Sequence, residues 1–274
     1  MKVQDVFYLL IIFFKRALGR EYHSLGIHAT DHCNLNCCSC SNYSPIADKF
    51  FLKADSLYGD LKNLENVKSF FSMINVGGGE PLLNPEINQI LKLLREFFPD
   101  QKISLITNGI LLKKMDMKFW ECISDNHITV KISKYPNINY EDIELYLKMN
   151  NYRYEIFGDR NNGWTRFLFS NKHKNKFLNF YFKCENNKFC WQLRDGKIIV
   201  CPICAYIDIF NKKFGTDFKL HSTDFIKLDK KITKYDLTKF ALTPKHFCKY
   251  CVFPREIISW RQSDNSINEW YVDG

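Results

Sequence analysis

A chain of 274 residues and 32.5 kDa has room for one large domain, alone or with an appendage, and excludes a multi-enzyme polypeptide. Hydrophobic residues at 46% and aromatics at 16% exclude intrinsic disorder, because that much apolar surface must be buried to offset the entropy of ordering. The 39 Lys+Arg against 30 Asp+Glu give +9 and favour an anionic ligand, yet the lysines are scattered among Asn, Ile and Phe, so no nucleic-acid partner is expected.

In chain order, residues 1–22 form an N-terminal apolar segment whose longest run, Val6 to Phe14, is too short to span a membrane and has no small-residue cleavage site after it. It reads as a buried helix or strand, and Lys15-Arg16 behind it leaves peripheral contact with anionic lipid as the alternative. A cytoplasmic location is expected. β-branched and apolar runs at 25–30, 73–76, 102–107, 127–133 and 152–157 predict strands, with helices between them. One helix is marked by Pro85 near its start, by Ile87, Ile90, Leu91, Leu94, Phe97 and Phe98 at helical spacing, and by Pro99 at its end. Strands alternating with crossover helices predict an α/β core, a partial (β/α)6 TIM-like barrel over 23–178, with its function at the strand C-terminal ends. After Gly158 the sequence turns Asn- and Lys-rich, then gives a strand at 179–182 and a hairpin over 190–201 turning at Asp195-Gly196. Residues 179–274 are expected to form a small, cysteine-rich α+β extension.

Eleven cysteines, an odd number in a chain without an export signal, read as metal ligands and not as a disulfide framework. The densest group, Cys33-Asn-Leu-Asn-Cys37-Cys38-Ser-Cys40, follows directly on the first strand. Three thiolates at this spacing can wrap one [4Fe-4S] cluster and leave an iron open; the alternative is zinc completed by His28 or His32, with Cys38 pointing away in either case. At the end of the second strand stands Gly77-Gly78-Gly79-Glu80-Pro81, where glycines let the backbone approach a ligand closely.

Together, the CxxxCxxC triplet and the GGEP-type motif resemble the radical S-adenosylmethionine (SAM) enzymes, and Thr107-Asn108-Gly109 and Ser133 extend the likeness over about residues 26–158. The resemblance implies that Cys33, Cys37 and Cys40 hold a [4Fe-4S] cluster whose open iron takes the amino and carboxylate groups of SAM. It implies that Gly77, Gly78 and Gly79, with Glu80 of the Glu80-Pro81 pair, receive the SAM amino group, and that Asn108 and Ser133 contact its ribose or carboxylate. It further implies one-electron cleavage of SAM, supplied by a flavodoxin- or ferredoxin-type donor, and removal of a hydrogen atom from substrate. Where many members carry an aromatic residue before the third cysteine, this chain has Ser39, with Tyr43 as a substitute adenine contact.

The tail holds Cys184, Cys190, Cys201, Cys204, Cys248 and Cys251. Two CxxC knuckles, Cys201-Cys204 and Cys248-Cys251, by themselves read as a zinc or rubredoxin-like site. The set Cys184, Cys201, Cys248 and Cys251, with Gly196 ahead of Cys201 on the hairpin, is instead similar to the twitch domain, a shortened SPASM extension, and implies an auxiliary [4Fe-4S] cluster. Twitch enzymes are exemplified by those oxidising a secondary alcohol of an aminosugar-like ring. With the basic balance and the likeness of residues 40–45 to radical SAM proteins of polysaccharide loci, this predicts oxidation of a small anionic sugar or sugar nucleotide. Arg160 and Arg166, flanking Trp164, are the candidate substrate contacts. A peptide-modifying radical SAM enzyme and a non-catalytic iron-sulfur scaffold or sensor are the alternative readings.

Overall fold

A computed structural model describes residues 23–272, apart from 137, 173–183, 185, 187–189 and 229–231. The apolar N-terminal segment and the strand expected at 179–182 lie outside the described residues. Five parallel strands follow the chain: β1 (His23–Thr30), β2 (Phe71–Gly78), β3 (Lys102–Thr107), β4 (Thr129–Lys134) and β5 (Tyr154–Asp159). Between them run α1 (Ala54–Lys62), α2 (Ile87–Phe97), α3 (Met117–Asp125) and α4 (Tyr140–Met149). In α2, Ile87, Ile90, Leu91 and Leu94 are the buried face, as their spacing predicts.

Strand alternation separates two environments. Leu25, Ile27 and Ala29 of β1 and Ile74 and Val76 of β2 join α1 and α2 in the main apolar core. On the opposite face, Ser24, Gly26 and His28 of β1 and Met73, Asn75 and Gly77 of β2 line a cavity. Small and polar side chains there leave open the space that bulky branched residues fill in a packed barrel.

The expected hairpin is present, and its position is the main surprise of the fold. After a short β6 (Trp164–Arg166), β7 (Trp191–Arg194) runs parallel to β1, with Leu25, Gly26 and Ile27 opposite Trp191, Gln192 and Leu193. The return strand β8 (Lys197–Val200) and β9 (Phe225–Lys227) add on antiparallel, giving the sheet order β5-β4-β3-β2-β1-β7-β8-β9. The sheet is therefore mostly parallel and open, in the manner of a partial barrel, but its sixth parallel strand joins the β1 edge and does not follow β5. Asp195 and Gly196 at the turn have φ of 49° and 65°, the left-handed pair that a tight two-residue turn requires.

Beyond the hairpin come the short α5 (Pro202–Ala205), α6 (Ile207–Phe214), α7 (Lys234–Leu242) and β10 (Glu256–Ile258), the last antiparallel to β6. Gly215 in the left-handed region ends α6, and a Thr233/Asp236 capping box starts α7. A second apolar core gathers Phe169, Ile203, Tyr206, Phe210 and Trp270 around Tyr43. Among the described residues, no helix is long and apolar enough to cross a membrane.

Candidate cofactor cavity and two cysteine groups

A cavity of about 690 Å³ opens at the C-terminal ends of β1 to β4, lined by Cys33, Cys37, Cys40, Gly77, Gly78, Gly79, Asn108 and Ser133. Its volume suits a cofactor-sized ligand. Arg160, Trp164 and Phe167 close one side, and Cys190 and Gln192 of the hairpin region another. Five polar atoms of residues on this wall, His28 Nε2, Ser44 Oγ, Asn75 Oδ1, Arg160 Nε and Trp164 Nε1, are buried without a hydrogen-bond partner. A separate cavity of about 470 Å³ beside Trp120 and Tyr152 contains none of the candidate site residues.

The first cysteine loop is fixed from two directions. At its start, Asp31 accepts 2.8 and 3.2 Å hydrogen bonds from Arg194 of β7 and pairs with His28 Nδ1 at 2.9 Å, and His28 stacks on Tyr206 at 4.0 Å. Although burial opposes it, these bonds hold the Asp31 carboxyl down at about 2. Across the loop lies the C-terminal segment 260–270. Cys38 N donates to Arg261 O, Ser263 N to Asn36 O, and Trp270 Nε1 to Cys40 O. The buried Glu269 carboxylate accepts from Ser39 N at 2.9 Å, Ser263 Oγ at 2.8 Å and Asp264 N at 2.8 Å, and its backbone oxygen accepts from Ser39 Oγ at 2.7 Å. Ser39, with φ of 55°, is thus fixed by the tail. Tyr43 is fully buried, with its hydroxyl on Ile203 O at 3.2 Å, so its part is in the core and not in an adenine contact.

N–H groups point at the sulfurs. Leu35 N donates to Cys33 Sγ at 3.3 Å and Trp260 Nε1 to Cys37 Sγ at 3.2 Å. Burial, then the neighbouring Cys40, pushes the Cys37 thiol up to about 12; Cys33 is pushed higher still, first by burial and also by Glu80, Cys40 and Cys37. Cys37 is buried and Cys33 half-buried, and with donors in place for their thiolates they fit cluster ligation. Cys38 is buried beside Ser39 Oγ at 3.5 Å, and Cys122 is a core residue of α3.

The glycine motif departs from expectation. A side chain on Gly78 would meet Thr30 O at 2.3 Å and one on Gly79 would meet His32 O at 2.0 Å, so these two residues allow β2 to approach the first cysteine loop. Only Gly77, 3.9 Å from Ile106 Cβ, has room at the cavity. Glu80 and Pro81 lie behind the wall. The Glu80 carboxylate is fully buried and accepts from Thr107 Oγ1 at 2.7 Å, Asn108 N at 2.9 Å and Leu82 N at 3.1 Å. Glu80 thereby ties the end of β2 to the end of β3. Asn108 Nδ2 bonds Asn34 Oδ1 at 2.7 Å and lies 3.8 Å from Cys33 Sγ; Ser133 lines the wall from β4.

In the second group, burial and then neighbouring thiols raise Cys201, Cys248 and Cys251. Cys184 acts on all three, and Cys201 on both members of the CxxC pair. Cys201, at φ 80°, takes backbone N–H bonds from Ile203 and Cys204, and Arg255 Nη2 donates to Cys184 Sγ at 2.8 Å. Cys204 is buried facing Asp224, whereas Cys190 adjoins Cys201 and Cys184 and also lines the cavity. Among the described residues, no three His, Cys, Asp or Glu groups gather tightly around one point as for a single ion.

The two candidate arginines part company. Arg160 stays on the cavity wall over Trp164, 5.9 Å from its ring centroid. Arg166 is taken up by Glu256 at 3.2 Å and by the carbonyls of Asn268 and Glu269, tethers the tail, and is not among the residues lining the cavity. Sequence reasoning missed Trp260, Glu269, Arg194 and Arg255. The only signal for the first two was a pair of tryptophans, Trp260 and Trp270, in an otherwise polar tail.

Residues 27–156 match the family model of the Radical SAM superfamily. The GTP 3',8-cyclase of Staphylococcus carnosus (strain TM300) is 30% identical over 139 residues, covering 49% of this chain and 39% of the relative. A probable GTP 3',8-cyclase of Methanococcus aeolicus is 32% identical over 140 residues, covering 50% and 44%. The chain thus spans less than half the length of these relatives. Among solved structures, BtrN in an open conformation gives a TM-score of 0.46 at 14% identity over 83% of this chain and 91% of BtrN. Streptococcus suis SuiB bound to S-adenosylmethionine gives 0.33 at 22% over 40% and 24%. The match takes in the first cysteine loop, the glycine motif, Asn108 and Ser133, just under half of the chain, and over those residues the chain is similar to this superfamily.

Proposed function

We propose that this protein is a two-cluster radical SAM oxidoreductase acting on a small anionic substrate. The observation that supports the reading is one cavity that meets the first cysteine group directly and adjoins the second through Cys190, each group having N–H donors aimed at sulfur. Cys33, Cys37 and Cys40 would hold the SAM-binding cluster, and Cys184, Cys201, Cys248 and Cys251 an auxiliary one. Bound there, the first cluster and SAM supply a hydrogen-atom acceptor strong enough to attack an unactivated C–H bond. The chain's own residues position and enclose: Gly77, Asn108 and Ser133 form the wall at the cluster, and Arg160 over Trp164 offers a cation and an aromatic face to an anionic ring compound. A sugar or sugar-nucleotide alcohol oxidised to a ketone suits this arrangement, since loss of a second electron needs an acceptor beside the cavity. The names of the relatives add GTP to the substrates to be tried. We take the reductant to be a cytoplasmic flavodoxin- or ferredoxin-type protein.

The test is anaerobic reconstitution of the full chain and of a variant carrying Cys33→Ala, Cys37→Ala and Cys40→Ala. The variant should keep about four irons and four sulfides per chain, the content of one cluster. The unsubstituted protein should release 5′-deoxyadenosine faster in the presence of sugar nucleotides or GTP. One tightly held zinc without sulfide in the variant refutes the auxiliary cluster.

A further inference from the structure

We propose that Arg255 is the counter-charge of the C-terminal cluster and poises it to accept electrons by raising its reduction potential. The inference rests on the auxiliary-cluster reading above. Arg255 stands just before β10, half-buried, with Nη2 2.8 Å from Cys184 Sγ. Its guanidinium lies 4.3 Å from the ring centroid of Phe167, a residue of the cavity wall, and 5.4 Å from that of Phe253. The same cation acts electrostatically on Cys190, Cys201 and Cys251. Among the described residues, no carboxylate pairs with it.

An arginine keeps its charge at any working pH, and among the described residues this half-buried guanidinium meets a thiol and two aromatic rings but no counter-ion. Four thiolates on a [4Fe-4S] cluster supply that negative charge. Reduction adds another electron to the cluster, and a fixed cation a few ångströms away favours the reduced form more than the oxidised one. The result is a higher potential. In the proposed alcohol oxidation, the substrate-centred radical loses one electron and its hydroxyl proton to become a ketone; the cluster gains the electron and the proton leaves to solvent. The placement suits this step, because Phe167 and Cys190 are at once cavity wall and neighbours of the Arg255–cysteine group.

The experiment is a redox titration, followed by electron paramagnetic resonance, of the full chain with Cys33, Cys37 and Cys40 replaced by Ala, so that only the C-terminal cluster reports. Arg255→Gln should move the midpoint to more negative potential, Arg255→Lys should restore most of it, and Arg153→Gln, an exposed charge at the start of β5, should leave it unmoved. If Arg255→Gln fails to load iron while Arg255→Lys loads, the counter-charge role is supported. An unchanged midpoint in a fully loaded Arg255→Gln protein overturns the proposal, as does failure of both variants to load, which would assign Arg255 to packing alone. Absence of iron and sulfide before any change at Arg255 brings down the auxiliary-cluster reading instead.

Discussion

Gly77 and Gly79 stand two residues apart and answer to different neighbours. Adding a methyl at Gly77 meets nothing closer than Ile106 Cβ at 3.9 Å and projects into the cavity, whereas at Gly79 it strikes the backbone oxygen of His32 at 2.0 Å. Gly77→Ala should therefore retain iron and sulfide but bind SAM more weakly, and Gly79→Ala should lose the first cluster because the cysteine loop must shift. Iron analysis and SAM binding by equilibrium dialysis on the two variants check this; equal behaviour would contradict it. Glu80 gives a pH signature. Burial outweighs its three donors and raises its carboxyl to about 7, against about 4.3 in an unfolded chain. The folded protein therefore holds this proton where the unfolded one has released it, so stability of the metal-free protein should fall as pH rises from about 4.5 to 7. In Glu80→Gln that part of the slope should vanish, as denaturant unfolding at pH 5 and pH 7 would show. The motif itself was legible at this scale, but not which of its residues faces the ligand, because a glycine needed for backbone approach and one needed for a ligand look alike in sequence.

The element that matters most to the first cluster is the irregular segment 260–270, which makes no helix or strand longer than a single 3-10 turn. It reaches the cysteine loop through Glu269, whose carboxylate serves two amides and a hydroxyl. Glu269→Ala strands those buried groups and should cost about 2–4 kcal/mol, with a lower melting temperature and less iron at the first site, while the content of the proposed tail cluster is unchanged. Glu269→Gln, which keeps one acceptor oxygen, should fall between. Iron counts in backgrounds lacking one cysteine group or the other separate the effects. Strands and the hairpin were readable because alternation and an Asp-Gly turn are local signals; the segment 260–270 was not, since its contacts join residues more than two hundred positions apart. For the same reason Arg160 and Arg166 were indistinguishable in sequence, although the fold gives one to the cavity and the other to Glu256.

For the molecule as a whole, the decisive contact is β7 against β1. An expectation of a barrel core ending near residue 178 would leave β1 as an edge strand, with Leu25 and Ile27 beside unpaired backbone groups. In the structure that edge is covered by Trp191 to Leu193. Residues 1–178 expressed alone should therefore associate through β1, and sedimentation should show oligomers or aggregate where the full chain gives a defined species. A well-behaved monomer of 1–178 would show that β1 does not need its partner. Strand order of this kind is invisible to periodicity, which reports the faces of a strand and not its neighbours.

The same pairing has a consequence during synthesis. At about 5–20 residues per second, a ribosome that has made β1 needs roughly 10–30 s more before β7 emerges to cover it. For that interval β1 and β2 can pair, but the far edge of β1 stays open to other nascent chains. An aggregation hazard thus precedes any loading of iron and ends only when β7 docks.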